Sequence, residues 1–358
     1  MRRRLDVWLA VALGLVSWAL SMMVHYPGLD WTIYSDIIGF WHREEGLRQG
    51  VAACINYFLE YPPASCTIIT VARMLGGPTE EGYYIAYGLL SLPAYILLAI
   101  SIVRLYPEYR SDAYLMPASP SLIVYGIYNF DHFVAAFIAF SLYLHLKGRT
   151  FLSTFSLGVA IAFKAIPIIL APLYFSGGGV RRKTLGLLLG LAPFTYTILL
   201  NPHYPVDFLQ FHAGWGLENA WYLWLVGDPF SPSAKVFGVW LGVILLMRAY
   251  LSSMGFLQRS FLVLSSWMLS SYVFTPQMAL WLLPLIPAGR KLILLWPPFE
   301  AANILLIFTW FTTPTPTLPW TLPQAMALAR AVVLAAMYGL AYGWNRITRL
   351  SAVGRSGV

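Results

Sequence analysis

The chain has 358 residues, 59% of them hydrophobic and only 11% charged, with a net charge of +8. Soluble domains carry roughly 25% charged residues, so this composition excludes a soluble globule, which would lack the charge to cover its surface. It also excludes nucleic-acid binding, which needs a continuous basic face: here Arg2-Arg3-Arg4, Arg181-Arg182-Lys183, Arg290-Lys291 and Arg346 with Arg349 are short clusters between apolar runs.

A helix crosses the hydrocarbon core with about 20 residues, and with fewer where the bilayer thins. On that criterion spans are predicted near 7–25, 62–76, 83–103, 112–128, 130–147, 151–175, 183–200, 234–252, 258–275, 276–289, 291–312 and 323–345. The expected fold is all-α, a polytopic transmembrane helical bundle of about 10–13 spans. It forms one integral membrane domain over 1–358. The apolar run after Arg2-Arg3-Arg4 is too long for a signal peptide and lacks a small-residue cleavage site, so it reads as a retained anchor. Segments 62–76 and 276–289 are short, and the first carries Arg73, so half-helices are the alternative for both. The clustered basic residues follow the positive-inside rule with both termini cytoplasmic. The full set of crossings then leaves Lys147 and Arg149 outside, against that rule. No internal repeat of fixed period is visible.

Two polar segments, 26–61 and 201–233, fall on the outer side of this map. In the first, Ile37, Phe40, Trp41 and Leu47 recur at near-helical spacing among charged residues, which predicts a short amphipathic helix within 34–49. Cys54 and Cys66 fall in or beside this segment, where a disulfide and two small apolar residues are both open readings. The second segment sets Glu218 and Asn219 beside Trp215, Trp221 and Trp224. That composition suits an interfacial aromatic belt and equally a sugar site of stacking rings and hydrogen-bonding side chains.

Several residues have chemical potential. Asp36 lies among apolar neighbours, where it is either a helix N-cap with Ser35 or a carboxylate of raised pKa fit for general-base work. Asp30 sits in a Pro-Gly turn, where a turn role suffices. Tyr61 precedes Pro62-Pro63 at a predicted helix start, where prolines cost little. Lys164 lies inside an apolar run, where a lysine costs about 2.5–3.5 kcal/mol on insertion scales, so it should face a polar cavity, a phosphate or an acid. Asn129 and Asp131 flank another span, with capping as the plain alternative. Gln277, in Thr275-Pro276-Gln277, interrupts an apolar run and could line a cavity at a broken helix. No phosphate loop, zinc motif or serine elbow is present.

In order along the chain, Ser35-Asp36-Ile37, Tyr61-Pro62-Pro63, Asn129-Phe130-Asp131, Lys164-Ala-Ile-Pro167 and Thr275-Pro276-Gln277 through Trp281 to Pro284 resemble a known arrangement. It is that of the type-C membrane glycosyltransferases, nearest to glycosyltransferase family 87 and the mannosyltransferase of the glycosylphosphatidylinositol pathway. The resemblance covers residues 1 to about 290. It implies a multi-pass enzyme of the cell membrane that transfers a sugar, mannose above others, from a polyprenyl-phosphate carrier to a lipid or glycan acceptor at the outer face. It makes Asp36 the catalytic base of an inverting reaction. Tyr61, Lys164, Glu218, Asn219, Trp221, Gln277 and Arg43 become substrate-binding candidates, with Arg48 and His212 as further cations for the departing phosphate. Ile38 replaces the second acid of the Asp-x-Asp pattern in the glycosylphosphatidylinositol branch, which argues for one carboxylate and against a bound divalent metal. The rival reading is a membrane transporter or flippase of lipid-linked or small solutes, for which Lys164 and the broken helices speak.

Overall fold

The computed structural model describes residues 2–29, 32–106 and 113–353, with side chains described over 6–29, 32–106 and 113–342. Asp30 and the side chains of Arg2, Arg3, Arg4, Arg346 and Arg349 lie outside the described residues. The fold is all-α. Its helices are α1 (Arg2–Val24), α2 (Asp36–Arg43), α3 (Glu45–Gln49), α4 (Pro63–Gly76), α5 (Glu80–Leu105), α6 (Pro120–Tyr125), α7 (Asp131–Leu146), α8 (Thr150–Phe163) and α9 (Ala171–Phe175). They continue with α10 (Val180–Gly190), α11 (Ala192–Leu200), α12 (Tyr204–Gly214), α13 (Leu223–Val226), α14 (Pro232–Tyr250), α15 (Phe256–Ser270), α16 (Arg290–Trp310) and α17 (Leu322–Val353).

Among the described residues five helices are long and apolar enough to cross a membrane: Asp6–Val24, Glu80–Leu105, Pro232–Tyr250, Arg290–Trp310 and Leu322–Tyr342. A sixth forms if α10 and α11, bent by 50°, count as one. The remaining predicted spans are shorter apolar pieces, among them α7, α8, Ile166–Phe175 and the 3₁₀ stretch Pro276–Ala288. The chain falls into two compact units, the first 1–215 with 277–284, the second 216–276 with 285–358.

In the first unit, α1 packs on α5, α5 on α7, α7 on α8, and α8 on α10. Local sequence starts these helices. Thr79 caps α5 by accepting from the Gly82 N–H, and Glu80 and Glu81 fill its first turn, where the helix dipole favours acids. Pro62 and Pro63 open α4, where no backbone donor is lost. The stretch 113–128 is irregular, and its freed backbone groups are met from one face of α1 and from His25 directly after it. Ser17 donates to the Pro117 carbonyl (2.7 Å), Ser21 accepts from the Ile127 N–H (2.9 Å), and His25 bonds the Val124 carbonyl (2.8 Å). These three side chains recur every fourth residue, so they share one helix face.

Two expectations are corrected here. First, α4 does not carry the chain to the opposite end of the unit. Tyr61 at its start touches Asp36, while Arg73 near its end donates to the Leu47 and Arg48 carbonyls. Both ends therefore meet the 26–61 segment, which also explains an arginine in an otherwise apolar helix. Second, Lys147 and Arg149 do not share an end with Asp36. Without α4 as a crossing, α5 leaves the Asp36 end at Glu80, which is 3.0 Å from His42, and delivers Arg104 to the far end. There Arg104 and Lys147 both lie against the Tyr143 ring. Arg104 and Lys147 thus stand at one end of the unit and the acids of α2, α3 and the α5 start at the other. With those acids stand Arg43, Arg48 and Arg73, which are bonded to nearby acids or to loop carbonyls.

The α8–α10 contact is made by glycines, including a Gly186-Leu-Leu-Leu-Gly190 motif. A Cβ at Gly190 would run into the Phe155 carbonyl and the Gly158 Cα, and one at Gly186 into the Phe151 carbonyl. Small residues four apart let two backbones approach where lipid offers no hydrophobic drive.

In the second unit α14 packs on α15, and α17 on both α15 and α16. The fully buried Arg330 of α17 donates to Asn303 Oδ1 (2.8 Å) and to the Phe274 carbonyl, and its guanidinium lies 3.7 Å from the Phe274 ring centroid. Asn303 in turn donates to the Pro276 carbonyl (3.0 Å). A charge in a helix of this hydropathy is tolerated because it meets carbonyls that no helix uses.

Gly190→Leu should force α8 and α10 apart and lower stability by about 1–3 kcal/mol or more, as overpacking does. Gly339→Ala, with open space around its Cβ, should be neutral or stabilising. Thermal unfolding in detergent tests both; equal melting of Gly190→Leu and the parent would reject the close crossing.

Candidate functional site

The site begins with the turn that starts α2. Ser35, not Asp36, is the N-cap: its hydroxyl accepts from the Ile37 N–H (3.2 Å) and reaches the Ile127 and Tyr128 carbonyls (3.1 Å each). The Asp36 N–H donates to the Tyr128 carbonyl (2.9 Å). The Asp36 carboxylate is thus freed from capping, and its backbone is tied directly beside Asn129. The predicted amphipathic helix exists as α2 and α3, and its expected apolar face, Ile37, Phe40, Trp41 and Leu47, is buried.

Three sequence motifs meet at this carboxylate. The Tyr61 hydroxyl donates to Asp36 Oδ2 (2.8 Å), and Asn129 Nδ2 donates to the same oxygen (3.1 Å). Asn129 Nδ2 also reaches the Tyr61 oxygen (3.3 Å), while Asn129 Oδ1 accepts from the Asp131 N–H (3.1 Å). Lys164 follows the last turn of α8 and lies 3.0 Å from Asp131 Oδ2 and 5.2 Å from the Tyr61 ring centroid. Aromatic rings close the sides: Tyr61 packs on Phe130 and Phe40, with centroids 4.9 and 5.5 Å apart. Trp281 stands near the Asp131 carboxylate, which brings in the fifth motif, and Gln277 of that motif is buried.

Asp36 keeps partial exposure although protein surrounds it. Burial pushes its carboxyl above the usual carboxylate range; the Tyr61 and Asn129 hydrogen bonds and the Lys164 charge pull the other way, and Glu60 adds to the rise. Burial, then the Asp36 charge, push the Tyr61 hydroxyl well above the ordinary tyrosine value, so Tyr61 remains a donor.

The surroundings are held as firmly. Cys54 and Cys66 are disulfide-bonded, which resolves the alternative left by their spacing. The Asn201 amide donates to the Cys54 carbonyl (3.0 Å), and the Tyr204 hydroxyl to the Tyr61 carbonyl (2.6 Å). Arg43 pairs with Glu60 (2.6 Å) and Glu44 (2.6 Å). Arg48 is spent on the Trp41 and His42 carbonyls at the end of α2. His212 bonds the Phe208 carbonyl (2.8 Å); burial lowers its pKa, and it senses both Lys164 and Glu60.

Glu218, Asn219 and Trp221 belong to the second unit. The Glu218 backbone pairs with Tyr272 and Phe274, Asn219 is buried in a left-handed conformation (φ 58°), and the Trp221 indole donates to the Leu269 carbonyl (2.7 Å). In the sequence Asn129 and Asp131 are part of the resemblance, with capping as the plain alternative, and are given no role of their own, because only the folded chain shows what their side chains face. Among the described residues no group of three His, Cys, Asp or Glu side chains gathers as a metal site.

Because the Asp36 pKa is raised on folding, the protonated carboxyl supports the fold and its ionisation withdraws that support. The loss runs from about pH 4, the ordinary carboxylate value, upward through the raised pKa. Asp36→Asn should therefore melt above the parent at neutral pH, with the gap closing as pH falls towards 4. A variant that melts below the parent by a constant amount at every pH would contradict this.

Comparison with protein families finds no matching family model, and no curated protein matches the chain. The chemistry of the site rests on its own geometry.

Proposed function

We propose that the chain is a glycosyltransferase that moves a sugar, mannose above others, from a polyprenyl-phosphate carrier to a lipid or glycan acceptor at the outer membrane face. The observation that carries this reading is the meeting of Asp36, Tyr61, Asn129 and Lys164, four residues from separate motifs, around one carboxylate. The acceptor hydroxyl oxygen attacks the anomeric carbon, and its proton passes to Asp36. The bond from that carbon to the phosphate oxygen breaks with its electron pair, giving inversion. A phosphate departs without being protonated, so one carboxylate suffices where glycoside hydrolysis uses two. Lys164, within reach of the Tyr61 ring, is the cation for the departing charge.

The charge distribution along the first unit supports the placement at the outer face. Arg104, Lys147 and Lys183 stand at the end away from Asp36, which the positive-inside rule assigns to the cytoplasm. A disulfide beside Tyr61 suits an oxidising outer compartment.

Asp36→Asn should lower sugar transfer by about 10²–10⁴, the usual worth of a general base, in membranes supplied with a polyprenyl-phosphate sugar. Glycolipid products resolved by mass spectrometry provide the measurement. Full activity in a folded Asp36→Asn protein would overturn the assignment.

A further inference from the structure

The Asn129 amide has one possible orientation. Its Oδ1 accepts from the Asp131 N–H, so its Nδ2 must face Asp36, where it lies 3.1 Å from Oδ2 and 3.3 Å from the Tyr61 oxygen. Its backbone is fixed as well, since the Tyr87 hydroxyl donates to the Asn129 carbonyl (2.7 Å). Asn129 is fully buried, so this arrangement does not compete with water. The donors from Tyr61 and Asn129 converge on Oδ2, and the Tyr34 hydroxyl bonds the same carboxyl group.

We propose that Asn129 is a positioning residue for Asp36: beside Tyr61 it donates to Oδ2 and holds the carboxylate in the orientation in which it takes the proton. The assignment rests on the transferase reading for its catalytic meaning, but not for its geometry. Two donors on one oxygen restrict how the carboxylate can turn, and a base within hydrogen-bond reach is useful only when it is aimed at the proton it takes. The plain alternative is that Asn129 only caps α7 through Oδ1.

Asn129→Asp separates the two. Aspartate caps a helix as well as asparagine does, so the capping role survives. The donor to Asp36 becomes a second acid facing Oδ2, and like charges at this distance drive one pKa strongly up. The other groups around Asp36 remain as they are: Arg43 on its own helix, Tyr34 before it, Glu60 and Tyr61 before α4, Asp131 at the start of α7, and Lys164 after α8.

The experiment labels Asp36 with a hydrophobic carbodiimide, which reacts with the protonated carboxyl, and follows the modified peptide by mass spectrometry against pH. Asn129→Leu should move the labelling midpoint of Asp36 up by about one pH unit, the worth of one hydrogen bond to the charged form. Asn129→Asp should move it further. In the transfer assay, Asn129→Asp should lower kcat by about 10² with KM for the donor little changed. A folded Asn129→Asp protein with the parent's labelling midpoint would overturn the proposal in favour of capping. If the midpoint shifts and the parent itself transfers no sugar, the positioning role stands and the transferase reading falls. Should Asn129→Leu fail to fold, the isosteric Asn129→Asp still decides.

Discussion

In hydrocarbon an unpaired backbone N–H or C=O costs several kcal/mol, and the arrangement of this protein follows from that constraint. A chain that only formed continuous helices would satisfy it without effort, but this one breaks its helices repeatedly and stitches each break. Ser17 and Ser21 on α1, and His25 directly after it, serve the irregular 113–128 stretch. Ser65 donates to the Phe163 carbonyl at the end of α8 (2.9 Å), and Asn303 and Arg330 serve the Phe274–Pro276 break in the second unit. The breaks are where the chemistry-bearing residues stand. Asn129 follows the first, Lys164 the second and Gln277 the third. A side chain in a regular helix is limited to that helix's faces, whereas a residue at a break can be turned into a cleft.

The limits of sequence reasoning follow from the same fact. All twelve predicted apolar segments correspond to helices or broken helical stretches, because the need for apolar runs is local. Crossing parity is not local. Counting α4 as a crossing inverted everything between Glu80 and Arg149, and the anomaly it produced, Lys147 and Arg149 on the acidic side, disappears once Arg73 is seen reaching back to Leu47 and Arg48. The Arg73 in a short apolar run was the legible signal for this, since a true span has no carbonyls of a neighbouring loop to offer an arginine.

Within the site, the residue types were legible and the pairings were not. Lys164 needed a polar cavity, a phosphate or an acid on energetic grounds, but that it meets Asp131 depends on α7 and α8 packing side by side. Ser35 and Asp36 were equally good N-caps in sequence. The structure gives the cap to Ser35, whose hydroxyl also reaches two carbonyls of the 113–128 stretch, and that choice releases the carboxylate. For Trp221 the indole N–H finds its partner in the Leu269 carbonyl, 48 residues away, which no spacing rule could supply.

Tyr61 shows why the cluster holds together as one unit. Its carbonyl accepts from Tyr204, its hydroxyl donates to Asp36, its ring lies against Phe130 and Phe40, and the Lys164 ammonium stands over its face. Pro62 and Pro63 fix the backbone immediately after it, so little conformational freedom remains to be lost when these contacts form. Burial and hydrogen bonding act in opposite directions on the carboxylate that Tyr61 holds. Burial alone would leave a neutral acid, and hydrogen bonds alone a weak base. Placing both around Asp36 keeps the group aimed while its pKa stays above the usual carboxylate range. That combination suits a base that must accept a proton and then give it up.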